Sequence, residues 1–194
     1  MLEQLAAIDQ ALFFFINVTL ANPVTNAIMP MITSDMLLRI LYGAVMLLIL
    51  WKGDRSMRWL VLFSLVTIAL CDQTSSNLLK HMIERVRPCK ALENVNLLVG
   101  CGSGFSMPSS HATNAFGQAL LFAIFYRRVR CVLLITASLI AISRVFVGVH
   151  YPSDVIVGAA LGSLLALIVA AIYNMLLPRL TGEINQASMK KAGD

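Results

Sequence analysis

The stretch DVIVGAALGSLLALIVAAIYNMLL occupies residues 154–177 and carries one charged side chain, that of Asp154 at its start. A helix of this length extends about 36 Å, which is enough to cross the hydrocarbon core of a bilayer, about 30 Å thick. The stretch contains no proline that would interrupt it. We therefore expect a transmembrane helix here, and we expect the chain to be an integral membrane protein.

The rest of the chain repeats this apolar pattern. Four further stretches approach the length of a membrane span: Met36–Leu50, Leu60–Leu79, Ser109–Tyr126 and Cys131–Val149. Hydrophobic residues make up 58% of the chain and charged residues 13%, whereas soluble proteins average about 25% charged residues. This composition excludes an ordinary soluble enzyme, a disordered chain and a small disulfide-rich protein. It predicts an all-α bundle of five transmembrane helices that forms a single domain over residues 1–194.

The N-terminal region differs from these spans. Residues Leu2–Leu20 are apolar but include Glu3, Gln4, Asp9, Gln10 and Asn17, and each of these side chains would need a partner inside hydrocarbon. We expect an amphipathic helix that lies in the membrane interface, with a sixth span as the alternative. A second short helix is predicted over Val24–Thr33, so that residues 1–34 form an interfacial region.

The basic residues divide unequally between the two faces of a five-span bundle. Alternating spans place nine on one side: Lys52, Arg55, Arg58, Arg127, Arg128, Arg130, Arg179, Lys190 and Lys191. The other six are Arg39, Lys80, Arg85, Arg87, Lys90 and Arg144. Because cytoplasmic loops are enriched in Lys and Arg, the first side is predicted to be cytoplasmic, together with a polar tail at residues 178–194. Topology thus explains much of the net charge of +5, and we expect no nucleic-acid partner.

Three polar clusters fall at span ends on the opposite face. They are Lys80-x6-Arg87-Pro88, Pro108-Ser109-Ser110-His111 and Ser143-Arg144-x5-His150-x3-Asp154. Lys80, Arg87 and Arg144 have few carboxylates near them in the sequence, and unpaired cations at a bilayer edge are costly unless they bind an anion. Ser109 and Ser110 stand at a predicted helix start, where free N–H groups bind anions. Together these residues predict a phosphate-binding site.

Two histidines and an aspartate supply the groups for a reaction at that site. His150 precedes Asp154 by four residues, and the intervening Pro152 suits the first turn of a helix. The Asp154 carboxylate is predicted to fix one ring nitrogen of His150 and to leave the other as a nucleophile. His111 comes from a different span and is predicted to protonate the leaving oxygen. Phosphoryl transfer needs positioning and positive charge, which three cations supply without a metal.

Other functions are possible on the same residues. A zinc site made by His81, His111, His150 and Asp154 is disfavoured, because the chain has neither two histidines four residues apart nor a Cys-x2-Cys pair. We therefore expect no metal and no cofactor. An anion-binding transporter or channel with a cationic vestibule is the alternative to an enzyme, although five spans without repeated halves argue against it. The sequence does not predict the oligomeric state.

The order and spacing of the three clusters resemble the signature of the type-2 phosphatidic-acid phosphatase superfamily, which includes membrane lipid phosphatases, soluble bacterial acid phosphatases and vanadium haloperoxidases. The motifs cover Lys80–Asp154, and the span pattern extends the likeness over nearly the whole chain. Ser110 departs from the glycine that is usual at its position. The resemblance implies a hydrolase in which His150 forms a phosphohistidine, Asp154 orients His150 and His111 protonates the leaving group.

The resemblance also implies a ligand set and a substrate class. Lys80, Arg87, Ser109 and Arg144 would hold the phosphate, with help from the backbone near Ser110. The implied substrates are phosphatidic acid, phosphatidylglycerol phosphate, undecaprenyl diphosphate or the phosphates of lipid A, which would place the protein in phospholipid or lipid A metabolism. The implied location is a bacterial inner membrane, with the site facing the periplasm or the exterior.

The four cysteines divide by their predicted location. Cys89 and Cys101 share the loop on the predicted catalytic face. Because a periplasmic location permits oxidation, we predict a Cys89–Cys101 disulfide, with two reduced thiols as the alternative. Cys71 and Cys131 are predicted to be free thiols that fill apolar positions.

Overall fold

The computed structural model describes the backbone of residues 2–192 and the side chains of residues 3–176. The first four helices are α1 (Leu2–Phe14, continued by a π-helical turn at Phe15–Thr19), α2 (Pro23–Ile32), α3 (Asp35–Lys52) and α4 (Arg55–Asp72). A π-helical segment, Gln73–Leu79, joins α4 to α5 (Lys80–Ile83). There follow α6 (Pro88–Ala91), α7 (Ser110–Phe125), α8 (Arg130–Phe146) and α9 (Pro152–Ala192). The predicted all-helical membrane architecture is confirmed.

Fewer helices than predicted are long and apolar enough to cross a membrane alone. Among the described residues three qualify, Arg55–Ala91, Arg127–Phe146 and Pro152–Leu176. α1 and α2 qualify as a fourth only if they are counted as one broken span, bent by 112°. α3 carries charged residues at both ends, and α7 has only 16 residues. That α3 and α7 also cross the bilayer stays a prediction.

The predicted boundary at Leu79 is wrong by one turn. The polar run after α4 adopts a π-helical turn, so the helix continues through Lys80 and His81 as α5. The chain leaves the helix at Glu84, whose φ of +50° is left-handed. Lys80 is therefore positioned by a helix, α5, and the loop that contains Cys89 and Cys101 begins after Ile83.

The backbone also continues as helix beyond the predicted end of the last span. α9 extends to Ala192, through most of the segment predicted as a polar tail at residues 178–194. The side chains of residues 177–194, and residues 193 and 194 altogether, lie outside the described residues. The cytoplasmic location of this segment stays a prediction.

α1 turns two of its polar side chains, those of Asp9 and Asn17, toward the protein, while Glu3, Gln4 and Gln10 are exposed. Asp9, Phe13 and Asn17 are buried, and Asn17 Nδ2 donates hydrogen bonds to the carbonyls of Phe146 at 2.8 Å and Asn96 at 2.9 Å. The exposed apolar residues are Leu5, Ile8, Leu12 and Phe15. α1 therefore has polar side chains both on its exposed surface and against the protein, and only Asp9 and Asn17 depart from the pattern of an interfacial helix. The reason is that Asp9 and Asn17 find their hydrogen-bond partners inside the protein.

α7 lies at the centre of the helical bundle and packs against α4, α8 and α9. Two glycines of α9 allow the closest of these contacts. A Cβ atom on Gly162 would lie 2.0 Å from Thr113 O, and one on Gly158 would lie 2.6 Å from Ser109 O. These two glycines, four residues apart, therefore bring the start of α7 against the first turns of α9.

A disulfide joins the loop between α6 and α7 to α6. Cys89 and Cys101 form a disulfide whose Cα atoms are 6.1 Å apart. Cys71 is buried and Cys131 is exposed, and both are free thiols. The loop also contacts α8, because the Leu98 N–H donates to the Val147 carbonyl at 3.3 Å.

We expect Gly162→Ala to destabilise the protein, because the added methyl group would overlap the Thr113 carbonyl of α7. Overpacking of this kind costs about 1–3 kcal/mol. Thermal unfolding in detergent should give a lower midpoint for Gly162→Ala. Gly43→Ala is the matched control, since no atom lies within 4 Å of the position its Cβ would take. Equal midpoints for the two variants would contradict the close α7–α9 contact.

We expect Cys89 and Cys101 to resist alkylation until a reductant is added. Mass spectrometry should then show two additional labels on the peptides that contain these residues. A disulfide that closes so short a loop contributes about 3 kcal/mol, so Cys89→Ser should also lower the unfolding midpoint. Labelling that is the same with and without reductant would show that the thiols are not paired.

Candidate active site

The three predicted clusters meet at one end of the bundle. Lys80 lies on α5, Arg87 precedes α6, Ser109 precedes α7, Arg144 lies in the last turn of α8, and Asp154 lies in the first turn of α9. The Ser109 N–H donates to the Asp154 carbonyl at 3.0 Å, which joins the second cluster to the third. The Ser106 N–H donates to the Arg85 carbonyl at 2.7 Å, which joins the first cluster to the loop before α7.

His150 and Asp154 are both buried, and the Asp154 carboxylate faces one particular ring nitrogen of His150, Nδ1. Nδ1 of His150 lies 3.5 Å from Asp154 Oδ2 and 3.4 Å from Ser106 Oγ. The same carboxylate oxygen accepts hydrogen bonds from the Tyr151 N–H at 2.8 Å and from the Ser106 hydroxyl. Because the carboxylate faces Nδ1, a neutral imidazole carries its proton there and its lone pair on Nε2. This is the pairing expected from the four-residue spacing.

The electrostatic surroundings keep His150 neutral. The pKa of the His150 imidazole is lowered from its usual 6.5 to about 3, mainly by burial and also by the positive charges of Arg144 and Arg87. The hydrogen bond with Asp154 and the negative charge of Asp154 act in the opposite direction. The uncharged form therefore prevails at neutral pH. Both arginines act on the ring, which places two of the predicted phosphate ligands within electrostatic range of the predicted nucleophile.

The three predicted phosphate-binding cations are held without carboxylate partners. Arg87 Nε donates to the Gly104 carbonyl at 2.9 Å, and Arg144 Nη1 donates to Thr33 Oγ1 at 2.6 Å. Lys80 interacts electrostatically with both arginines. Among the side chains that the structure describes, none of the three cations lies within ion-pair distance of a carboxylate. Their combined positive charge is available to an anion.

Several buried polar atoms at this end of the bundle have no hydrogen-bond partner. Among the described side chains they include Ser109 Oγ, His111 Nε2 and Arg144 Nε. His111 Nε2 lies 3.1 Å from Asp35 Oδ1 but outside hydrogen-bond geometry. Leaving a buried donor or acceptor unpaired costs about 1–3 kcal/mol, and such atoms call for an explanation. All three belong to residues that the sequence assigns to phosphate binding or proton transfer.

Ser110 differs from Ser109 in what it offers to a ligand. Its hydroxyl is hydrogen-bonded to Ser76 Oγ at 2.9 Å. Its backbone N–H lies in the first turn of α7, where N–H groups have no partner within the helix. The backbone of Ser110, and not its side chain, is therefore the group that can bind an anion.

Two cavities adjoin the site. A polar cavity of about 310 Å³ is lined by Thr33, Asp35 and Arg144, among other residues. An apolar groove of about 510 Å³ is lined at one end by Ser110 and His111 and otherwise by side chains of α3, α4, α7 and α8. Asp35 lines both cavities. A molecule with an anionic head and a long apolar chain matches this pair of cavities.

Four residues that contact the predicted site were not assigned to it from the sequence: Asp9, Thr33, Arg85 and Ser106. Arg85 was counted only as a basic residue, although it stands two positions before Arg87. Asp9 was noted as a polar residue that needs a partner, and that signal could have found it. The sequence contains no comparable signal for Thr33 or Ser106, because their contacts depend on the path of the chain between helices.

His81, the third histidine, has contacts of its own. Its Nδ1 lies 3.1 Å from the Asn77 carbonyl, and its ring packs against Phe105. In the described part of the chain no three His, Cys, Asp or Glu side chains are grouped closely enough to hold a metal ion. His81 takes no part in the contacts of His150 and Asp154.

Comparison with known proteins finds one family and several relatives. The model of the PAP2 superfamily matches residues 57–178. The lipid A 4'-phosphatase of Bacteroides thetaiotaomicron is 28% identical over 173 residues, which cover 84% of this chain and 75% of that protein. The decaprenylphosphoryl-5-phosphoribose phosphatase of Mycobacterium tuberculosis is 35% identical over 135 residues, which cover 62% of this chain and 74% of that protein. The chain spans about half the length of some other curated relatives that it matches.

One solved structure is similar to this chain in both sequence and fold. The transmembrane PAP2-type phosphatidylglycerolphosphate phosphatase of Bacillus subtilis superposes with a TM-score of 0.71 at 28% identity, covering 89% of this chain and 87% of that one. The family match includes every residue of the three clusters, from Lys80 to Asp154. The chain therefore belongs to the PAP2 superfamily and is one of its membrane lipid phosphatases.

Proposed function

We propose that this protein removes phosphate from a membrane lipid phosphate or diphosphate, without a metal ion and through a phosphohistidine intermediate. The observation that carries the proposal is the set of unpaired buried atoms Ser109 Oγ, His111 Nε2 and Arg144 Nε beside a buried His–Asp pair. A phosphate group bound among them would supply acceptors for the donors and would compensate the charge of Lys80 and the two arginines.

The first chemical step transfers the phosphoryl group to the enzyme. The lone pair on His150 Nε2 attacks phosphorus, and the bond between phosphorus and the lipid oxygen breaks. His111 donates a proton to that leaving oxygen. Asp154 holds the Nδ1 proton of His150 and stabilises the positive charge that develops on its ring. The cations stabilise the negative charge on the equatorial oxygens in the transition state.

The second step releases inorganic phosphate. His111, now neutral, takes a proton from a water molecule that attacks phosphorus on the opposite side from His150. The bond between Nε2 and phosphorus breaks, and the imidazole recovers its lone pair. His111 thus acts as the acid in one step and as the base in the other, which returns both histidines to their starting states.

The two cavities support a lipid as the substrate. The polar cavity at Arg144 suits a phosphorylated headgroup, and the apolar groove at His111 suits an acyl or prenyl chain. The relatives named above act on lipid A, on a decaprenyl-linked phosphate and on phosphatidylglycerol phosphate. We infer a substrate of the same class: phosphatidic acid, phosphatidylglycerol phosphate, undecaprenyl diphosphate or lipid A. We also infer a bacterial inner membrane and a site that faces the periplasm or the exterior.

The test measures phosphate release from these four lipids by the full chain in detergent that contains EDTA. We expect His150→Ala to lose at least about 10³-fold in kcat, because the nucleophile is removed. His81→Ala is the matched control, since His81 is exposed and contacts neither His150 nor Asp154. Undiminished activity of His150→Ala would refute the nucleophile. If the protein releases no phosphate from any of the lipids but moves anions across vesicle membranes, the alternative function, a transporter, would be favoured.

A leaving-group comparison isolates the role of His111. We expect His111→Ala to lose about 10²–10⁴-fold in kcat on a lipid phosphate, whose alcohol leaving group needs a proton. The loss should be much smaller on an aryl phosphate, because a phenolate leaves without full protonation. Equal losses on both substrates would show that His111 is not the acid.

The free thiol of Cys131 reports the orientation. It is exposed at the start of α8, next to the basic turn that we assign to the cytoplasm. A membrane-impermeant maleimide should label it in inside-out vesicles and not in intact spheroplasts. Cys131→Ser controls for labelling elsewhere, and labelling in spheroplasts would reverse the orientation.

A further inference from the structure

Arg85 differs from the other cations of the site because all of its charge is directed at carboxylates. Its Nη1 donates to Asp154 Oδ1 at 2.6 Å and to Ser153 Oγ at 2.7 Å, and its Nη2 donates to Asp9 Oδ2 at 2.6 Å. The guanidinium also stacks on the Tyr151 ring, 4.0 Å from the centroid. Both terminal nitrogens of this guanidinium are hydrogen-bonded and its plane is stacked on a ring, so the group is fixed in position. Arg85 is therefore not placed to bind phosphate.

The contact with Arg85 determines how Asp154 can face His150. Asp154 is fully buried, and its two oxygens have separate partners. Oδ1 accepts from Arg85, which leaves Oδ2 for His150 Nδ1 and for the neutral donors Ser106 and Tyr151. Arg85 is the cation in contact with this carboxylate, and a buried carboxylate without a cation is strongly destabilised or takes up a proton. Removing Arg85 would free Asp154 to turn or to become neutral.

Asp9 holds Arg85 from the other side. It lies on α1, is buried, and accepts from Arg85 Nη2 through Oδ2. Its Oδ1 accepts from the Ser153 N–H at 2.9 Å, and its Oδ2 accepts from the Ser153 hydroxyl. The Ser153 N–H lies in the first turn of α9, where it has no partner within the helix. Asp9 therefore acts as a cap for α9, supplied by a helix 144 residues away in sequence.

The packing around Asp9 makes this contact rigid. Phe13, one helical turn after Asp9, is fully buried, and its ring centroid lies 5.6 Å from that of Tyr151. Tyr151 is the ring on which Arg85 stacks, and it adjoins His150 in the chain. α1 thus contacts both the guanidinium and the aromatic ring beneath it.

We propose that Asp9 and Arg85 are positioning residues of the active site, which act on His150 through Asp154 and make the N-terminal helix a part of the catalytic unit. The inference rests on the proposed function of His150. A chain of charge-assisted contacts leads from Asp9 to Arg85, then to Asp154 and to the imidazole. These contacts hold Asp154 Oδ2 against His150 Nδ1.

The first measurement compares Asp9→Asn with Glu3→Gln in lipid phosphate hydrolysis. Both variants remove one carboxylate charge from α1, but Glu3 is exposed. We expect Asp9→Asn to lose about 10- to 100-fold in kcat with KM changed less than threefold, because misplacing a reacting group by about 1 Å costs this much. Glu3→Gln should keep wild-type kcat and KM. Equal kcat values for Asp9→Asn and the wild type would overturn the proposal.

The second measurement separates positioning from general stability. In an Asp154→Asn background, Asp9→Asn should cause no further loss in kcat, because the group it acts through is already gone. The same fold-loss in both backgrounds would overturn the proposal and indicate a structural role. If Asp9→Asn does not fold, Arg85→Lys takes its place in both comparisons, since it keeps the charge but loses the two-edged contact.

These outcomes are distinct from failure of the proposed function. A wild type that hydrolyses lipid phosphate, with an inactive His150→Ala and an unaffected Asp9→Asn, would overturn this inference alone. A wild type that hydrolyses none of the lipids, or a fully active His150→Ala, would overturn both the proposed function and this inference.

Discussion

Three like charges share a buried site, and the surrounding structure keeps each of them away from a carboxylate. Lys80, Arg87 and Arg144 repel one another, and the region they occupy is shielded from water. Buried cations normally pair with a carboxylate, and Asp154 acts electrostatically on Lys80 and Arg87. The ion pair that Asp154 forms is with Arg85 instead. Among the described side chains, no ion pair therefore neutralises the three cations.

The site residues are held in place by helices whose backbones pack closely together at small residues. Gly158 and Gly162 bring the first turns of α9 against the start of α7. That contact sets Asp154 beside Ser109, whose N–H it receives on its backbone carbonyl. Small residues at helix crossings are how membrane bundles gain van der Waals contact without a hydrophobic driving force. The same small residues that pack the bundle thus also determine the distances within the site.

Much of the site could be predicted from the sequence because its chemistry is encoded locally. The spacing of His150 and Asp154 and the serines at a helix start specify geometry over a few residues. The partners of Asp9 and Arg85 could not be predicted in this way, since the contact with Ser153 joins positions 144 residues apart. The inward orientation of Asp9 and Asn17 cannot be predicted for the same reason. The sequence shows that Asp9 needs a partner but does not show whether that partner is water or protein.

The contact between α1 and α9 also sets an order of events during synthesis. α1 is translated before α9, so its buried carboxylate can meet Arg85 only after residue 85 has been made and Ser153 only after residue 153 has been made. At about 5–20 residues per second, roughly 7–30 s separate the synthesis of Asp9 from that of Ser153. Throughout that interval Asp9 has none of its final α9 partners, and a charged side chain in hydrocarbon is costly. The contact of Asp9 with α9 is thus completed late in synthesis.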